Sequence, residues 1–265
     1  MSNFCKLKGR SFRISLMSRF IFLVVFALFF HGCSCGVKGG RSEIKIGVDP
    51  YWYPLDFGAQ NSHVNGFAEE LLLDIAHLTG IEFERTEANW DALFDGMMQG
   101  RYQAVLSSLS PYEFNTAFYD FSHAFLDLGP VLVVPQSASQ TSLEKMSNEH
   151  IGVIAGDPAA LILQKHQGLV VRSYSSIPDL LEAVTKEEIK GALLTRIDAG
   201  RYVNDLFMGK LKIIGPPLNN LGLRLIALKG KQPSLLSQFN QSLAILKKKK
   251  RVQALLRKWQ LGEMT

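Results

Sequence analysis

The chain has 265 residues, 47% of them apolar, and a formal charge of +5. All of that charge comes from the start: five Lys and Arg residues and no acid precede Cys33, and beyond it 24 basic residues face 24 acidic ones. A neutral body gives no argument for a nucleic-acid partner, and its length suffices for one large core or for two lobes. The cysteines are Cys5, Cys33 and Cys35, so nothing from Gly36 to Thr265 can form a disulfide and stability must come from packing.

In chain order, the first predicted element is the apolar run Phe20 to Phe30, preceded by Lys6, Lys8, Arg10, Arg13 and Arg19 and followed by His31-Gly32-Cys33. A basic stretch, a short apolar stretch and a small residue before the cut predict a secretory signal over residues 1–32. The run is well short of the roughly 20 residues a spanning helix needs; an uncleaved N-terminal anchor is the alternative. Met17 begins a compact signal of its own, which makes residues 1–16 a candidate extension. Cysteine directly after a small residue resembles the lipobox of bacterial lipoproteins, with Cys33 as the lipidated residue and 33–42 as a tether, although Phe30 and His31 replace the usual smaller or aliphatic residues. Either way the folded part is expected outside the cytoplasm and held to a membrane. It has no access to ATP or NAD there, which excludes most enzyme classes.

Beyond the tether, Ile44 to Val48 alternates like a strand and stops at Asp49-Pro50. Gly66 to Leu78 has helical spacing and ends at Gly80 in the position of a left-handed cap. Ile81 to Glu84 alternates again, Asn89 caps a helix through Met98, and Gln103 to Leu106 is a strand opening into Ser107-Ser108-Leu109-Ser110. Ser110-Pro111-Tyr112-Glu113 reads as a capping box with proline at the first helical position. Strands then follow at Val131–Val134, Ile151–Ile154, Val170–Tyr174, Ile189–Leu194, Lys212–Ile214 and Leu223–Leu228. Helices start at Asp157, Ser176 and Arg196, and two more close the chain, Ser234–Leu246 and Arg251–Trp259. Such alternation predicts an α/β protein with largely parallel sheets, whose ligands sit beyond the carboxyl ends of the strands. Three loops meet that condition: Asp49 to Tyr53, Ser107 to Ser110, and Gly156-Asp157.

The segments IKIGVDPYWYPLDF, GFAEELLLDIA, NWDALFDGMMQGRYQAVLSSLS and YDFSHAF, followed in order by IGVIAG, IPDLLEAV, IKGALLTRIDA and GLRLIAL, resemble the extracellular solute-binding proteins of family 3. These are the polar-amino-acid receptors of ABC importers. The resemblance runs from about Glu43 to Leu261 and implies an α/β two-lobe periplasmic-binding-protein (Venus-flytrap) fold, type II-like, with hinge crossover strands. It places lobe 1 at 43–128 plus 216–265 and lobe 2 at 129–215, with a small-molecule ligand between them and closure by hinge motion. It also implies a periplasmic location and delivery to an ABC permease in the inner membrane, with no cofactor, no metal and no chemistry of the chain's own.

By the same resemblance, Trp52 and Trp90 are aromatic walls of the cleft, and the alternative for either is a place in the core. Asp49 aligns with an acid that pairs with cationic ligand side chains; otherwise it is a turn residue before Pro50. Ser107, Ser108 and Ser110 match the segment that bonds ligand α-groups, with helix capping the alternative for Ser110. Three positions depart from the family. Asn115 stands where an arginine usually grips the ligand carboxylate. Asp157 and Pro158 replace small hydroxyl residues at the helix start of lobe 2, and Thr195 replaces the aspartate that holds the ligand ammonium. With acids, aromatics and neutral hydrogen-bonders, the cleft favours a neutral or cationic ligand, an amine or a small peptide.

Two other functions stay open. One is an enzyme on the same fold resembling the dehydratases of cyclohexadienyl acids, against which the missing arginine counts. The other is a surface interaction lipoprotein that has lost small-molecule binding. The run Lys247 to Arg251 is either a solvated surface or a contact with anionic headgroups or the permease. The histidines lack metal-ligand spacing.

Overall fold

The computed structural model describes residues 43–262. The expected signal, the lipidation site Cys33 and the tether lie outside the described residues. No helix of the described residues is long and apolar enough to cross a membrane.

Two sheets organise the chain. In the first, β1 (Glu43–Val48), β2 (Glu82–Glu87) and β3 (Ala104–Ser107) run parallel, and β11 (Gly222–Leu228) and β4 (Tyr119–Phe121) extend it antiparallel, in the order β2-β1-β3-β11-β4. A two-residue strand, β5 (Leu126–Asp127), pairs with the start of β11. Alternation along β11 shows why the sheet is buried on both faces. Leu223, Leu225 and Ala227 pack with helices α1 (Asn61–Thr79), α7 (Pro233–Lys248) and α8 (Arg251–Lys258), while Ile226 packs with α2 (Trp90–Met98) through Leu93 and Met97.

The second sheet consists of β6 (Pro130–Pro135), β7 (His150–Ile154), β8 (Val170–Tyr174), β9 (Gly191–Thr195) and β10 (Leu211–Ile214). Its spatial order is β10-β6-β9-β7-β8. Helices α5 (Ile177–Thr185) and α6 (Arg196–Asn204) cover one face around Leu180, Val184 and Val203; α4 (Ala159–Leu163) covers the other with Leu143 and Met146. The chain therefore passes from the first sheet to the second after β5 and returns after β10. The two passages run side by side: Leu128 and Gly129 donate backbone hydrogen bonds to Leu221 O (3.0 and 3.2 Å), and Leu218 N donates to Pro130 O at 2.8 Å. Gly129 has to be glycine at this crossing, because a Cβ would lie 2.5 Å from Asn219 Oδ1.

Several boundaries differ from the sequence expectation. Helix α1 starts at Asn61, five residues before Gly66, because Val64 is buried and the side chains of Asn61 and Asn65 both bind Pro50 O (2.8 and 2.9 Å). Gly66 is thus interior to a helix, where its lack of a side chain makes room for the Trp259 ring just after α8; that ring occupies the space a Cβ would take. The capping box at Ser110 does not form. Helix α3 (Glu113–Thr116) begins after Tyr112, with no side-chain cap. The short strands β4 and β5 have too few residues to show an alternation.

Candidate ligand cleft

The loop after β1 is held from within. Asp49 is buried, and its Oδ1 accepts from Tyr51 N at 2.9 Å, which gives it the turn role before Pro50. Trp52 departs from the expected wall: it is 1% exposed, meets Phe125 edge-on at 6.5 Å, and its Nε1 donates to Asn65 Oδ1 at 2.8 Å. Its backbone sits in the left-handed region at φ 58°, a conformation that turns the indole inward and leaves Tyr51 and Tyr53 outside. The position belongs to the core because an indole buried this way gains both apolar burial and a partner for its N–H.

Trp90, at the start of α2, is half-buried and makes edge contacts with Tyr53 at 5.9 Å and Phe94 at 5.4 Å. Tyr53 is 58% exposed, so this pair presents an aromatic surface beside the loop. Sequence reasoning does not single out Tyr53, whose exposure follows from the turn at Trp52 and has no signal in periodicity.

The serine segment continues β3. Ser107, Ser108 and Ser110 are all buried, and Ser107 Oγ accepts from Leu109 N at 3.2 Å. Asn115 is buried too, and its Nδ2 donates to Ser110 O at 2.8 Å. An arginine here would project a long cation; the asparagine instead folds back and braces the segment.

In the second sheet's loops the polar groups are likewise engaged locally. Asp157 Oδ1 accepts from Ala159 N at 2.7 Å and so serves the first turn of α4. Thr195 caps α6: its Oγ1 accepts from Asp198 N at 3.2 Å and donates to Asp198 Oδ2 at 2.7 Å. The Asp198 carboxylate is thereby tied into the cap.

Charged groups that carry no sequence motif gather where the two passages meet. Arg224, 7% exposed, is paired in register with Ser107 and lies on the same face of the sheet, the face of Val105 and Ile226. Its Nη1 donates to Gly222 O at 3.1 Å. Arg196, at the start of α6, has a buried Nε with no acceptor. Burial holds both guanidinium groups below their ordinary value, and the carboxylate of Asp127 on β5 raises both in opposition. The trio is invisible to any local window, since its members lie on β5, α6 and β11.

The comparisons settle the family. The model of the family described as Bacterial extracellular solute-binding proteins, family 3, matches residues 44–263. The chain belongs to this family. Among curated relatives, it is 22% identical to the L-cystine-binding protein TcyJ of Escherichia coli (strain K12) over 231 residues, covering 85% of each chain. It is 21% identical to the histidine-binding periplasmic protein of the same strain over 205 residues, covering 76% of this chain and 79% of that one. Among solved structures, the L-cystine solute receptor of Neisseria gonorrhoeae in the unliganded open conformation superposes with a TM-score of 0.63 at 16% identity, covering 84% of this chain and 94% of that one. A polar amino acid ABC uptake transporter substrate binding protein from Streptococcus thermophilus gives 0.56 at 21% identity, covering 82% and 85%. At these identities the structural likeness establishes the two-lobe fold.

For a family-3 binding protein the space between the lobes is the point of interest. One cavity of about 170 Å³ touches both sheets' elements, lined by Phe57 and Gln60 on one side, Thr195 and Asp198 on the other, and Leu128 and Leu221 of the passages between. It is smaller than the roughly 300 Å³ at which ligand pockets begin. Of the residues expected at the site it includes Thr195 alone, so it is a space at the passages rather than a chamber that unites the aromatic and serine loops.

Proposed function

We propose that the protein is the lipid-anchored, extracytoplasmic solute-binding subunit of an ABC importer, binding a small amino-acid-type solute (an amino acid, amine or small peptide) between two lobes and presenting it to a permease. The observation that carries this reading is the family match over residues 44–263, together with two sheets joined by two adjacent passages. Paired passages are what a hinge needs: rotation there opens or closes the lobes while each core stays intact. The lobes in this reading are 43–128 with 216–265, and 129–215. Anchoring is through Cys33 after removal of residues 1–32, in the periplasm. No step of chemistry is assigned to the chain.

The names of the relatives, for L-cystine and for histidine, support an amino-acid-type ligand. The cleft has Asn115 where the family usually has arginine, and it uses Trp90, Ser107, Ser108 and Ser110 as its first-lobe contacts. A thermal-shift panel on the full-length protein in detergent, freed of co-purified solute by reversible unfolding, tests the reading. A ligand present at 1,000 times its Kd stabilises the native state by about 4 kcal/mol. A shift with any amino acid, amine or dipeptide is expected; silence across the panel would overturn the assignment.

A further inference from the structure

We propose that the turn between α7 and α8, Lys247 to Lys250, is a contact face for an anionic lipid bilayer, holding the first lobe against the membrane that carries the anchor. The inference rests on the lipid-anchored reading above and adds to it the face by which the domain meets the membrane.

The starting point is a surplus of charge that the fold does not use. Lys248, Lys249 and Lys250 are exposed and Lys247 is half-buried, and among the described residues none of the four side chains enters an ion pair or a hydrogen bond. Their neighbour Arg251 does, donating to Asp74 at 2.7 Å and to Glu70 at 3.0 Å, and Lys258 takes the other Glu70 oxygen at 2.6 Å. The acids of α1 that meet α8 are therefore engaged, and the lysine run beside them stays uncompensated. Helix ends favour cations, which accounts for Lys247 and Lys248 in the last turn of α7. Lys249 and Lys250 lie past that turn. Lys250 takes φ 57°, a conformation that glycine or asparagine adopts at less cost, so the turn itself does not call for lysine. Ile245, 43% exposed, completes the face: Lys249 N donates to Ile245 O at 2.9 Å, and Lys248 and Lys249 follow it by three and four residues on one side of the helix. Lysines around an exposed aliphatic side chain match a bilayer surface, where anionic headgroups meet apolar chains.

The place of the turn suits this role. Helix α1 starts beside Pro50, at the cleft end of β1, and ends at Thr79, just before β2. Glu82 of β2 is the register partner of Glu43, where the tether joins the fold. Asp74, and with it Arg251, lies about 20 Å along α1 from Asn61 but only about 8 Å from Thr79. The basic turn thus belongs to the tether end of the lobe and not to the cleft end, so a bilayer can occupy it while the cleft stays free. Residues 33–42 extend to at most about 35 Å, which keeps the turn within constant reach of the headgroups. Two exposed acids, Glu43 and Glu82, oppose four lysines there. One lipid chain holds a protein weakly, and a polybasic patch is a second signal that makes the hold stable.

The full-length protein, reconstituted through its own anchor into lipid nanodiscs, tests this by pulsed acylation of lysines read residue by residue in the mass spectrometer. In discs of phosphatidylcholine mixed with phosphatidylglycerol, the reactivity of Lys248 to Lys250 should fall at least about threefold relative to pure phosphatidylcholine, with the exposed Lys165 of the second lobe unchanged. About 0.5 M NaCl, which shortens charge interactions to about 4 Å, should remove the difference. Ile245→Glu puts an acid on the same face, keeps every lysine readable, and should bring the two lipids to within about 1.5-fold of each other. Should Ile245→Glu not fold, the lipid and salt dependence of the wild type still decide. Equal reactivity in both lipids, or a difference that survives salt or Ile245→Glu, would overturn the contact and leave the anchoring standing. Protection that appears only in native inner-membrane vesicles would overturn it too, in favour of a protein partner. Protein that enters neither kind of disc would overturn the anchored reading and the inference together.

Discussion

The loops at the carboxyl ends of the first sheet's strands differ in kind from those of the second. In the first, the local bonds of Asp49 and Ser107 are joined by side-chain bonds that reach further: Asn61 and Asn65 clamp Pro50, Asn65 receives the Trp52 indole, and Asn115 braces Ser110. In the second, each polar group serves its own helix start, Asp157 to Ala159 and Thr195 to Asp198. The first set is a braced surface, with aromatic area at Tyr53 and Trp90; in the second, Thr195 caps α6 and Asp157 bonds the first residue of α4. Preformed surfaces lower the ordering cost of binding. The difference teaches that the first sheet's loops are braced before any solute arrives, whereas the polar side chains Asp157 and Thr195 of the second are spent on helix starts.

The sharpest way to break this comparison is at the two tryptophans. Trp52→Ala should destabilise the fold by about 3–5 kcal/mol as a buried aromatic deletion, whereas Trp90→Ala should cost about 1 kcal/mol and instead weaken solute binding. Denaturant unfolding and titration of the two variants separate the roles, and equal stability losses would contradict them. Next in size, Asn65→Ala leaves the buried Trp52 N–H unpartnered and removes one donor from Pro50 O. The expected loss is about 2 kcal/mol, read from the same unfolding curves.

A smaller effect lies in the clasp between α1 and α8. The Glu70 carboxylate accepts from Lys258 Nζ at 2.6 Å, Trp259 Nε1 at 3.1 Å and Arg251 Nη2 at 3.0 Å, and Lys258 above all holds its pKa below the ordinary 4.5, against an opposing effect of burial. A carboxyl depressed by folding stabilises the fold fully above its unfolded value and loses that contribution as the pH falls through the folded one. The melting temperature should therefore drop below pH 4.5, and Glu70→Gln should flatten that drop. With the pair partners near the surface, the effect is at most about 1 kcal/mol.

Much of the fold was legible because it rests on periodicity. The strand Glu82–Glu87 is found where alternation puts it, and Asn89, Ser176 and Gly80 cap their helices as their side chains and backbone freedom dictate. Helix α1 starts early because its first turn is stabilised by bonds to Pro50, a tertiary effect that no local window carries. The site was less legible. One left-handed residue turns Trp52 into the core and leaves Tyr53 exposed, a backbone choice that no local window carries. Arg224 reads as one cation inside an apolar strand; only the register with Ser107 and the passage beside Asp127 reveals what it faces.

Hydrogen exchange, measured on the full-length protein with and without the solute giving the largest thermal shift, tests the central claim most directly. Binding between two lobes predicts simultaneous protection of the serine segment Ser107 to Ser110 in the first lobe and of the α6 start, Thr195 to Asp198, in the second. Protection confined to one of the two, or absent from both, would contradict a ligand held across the cleft.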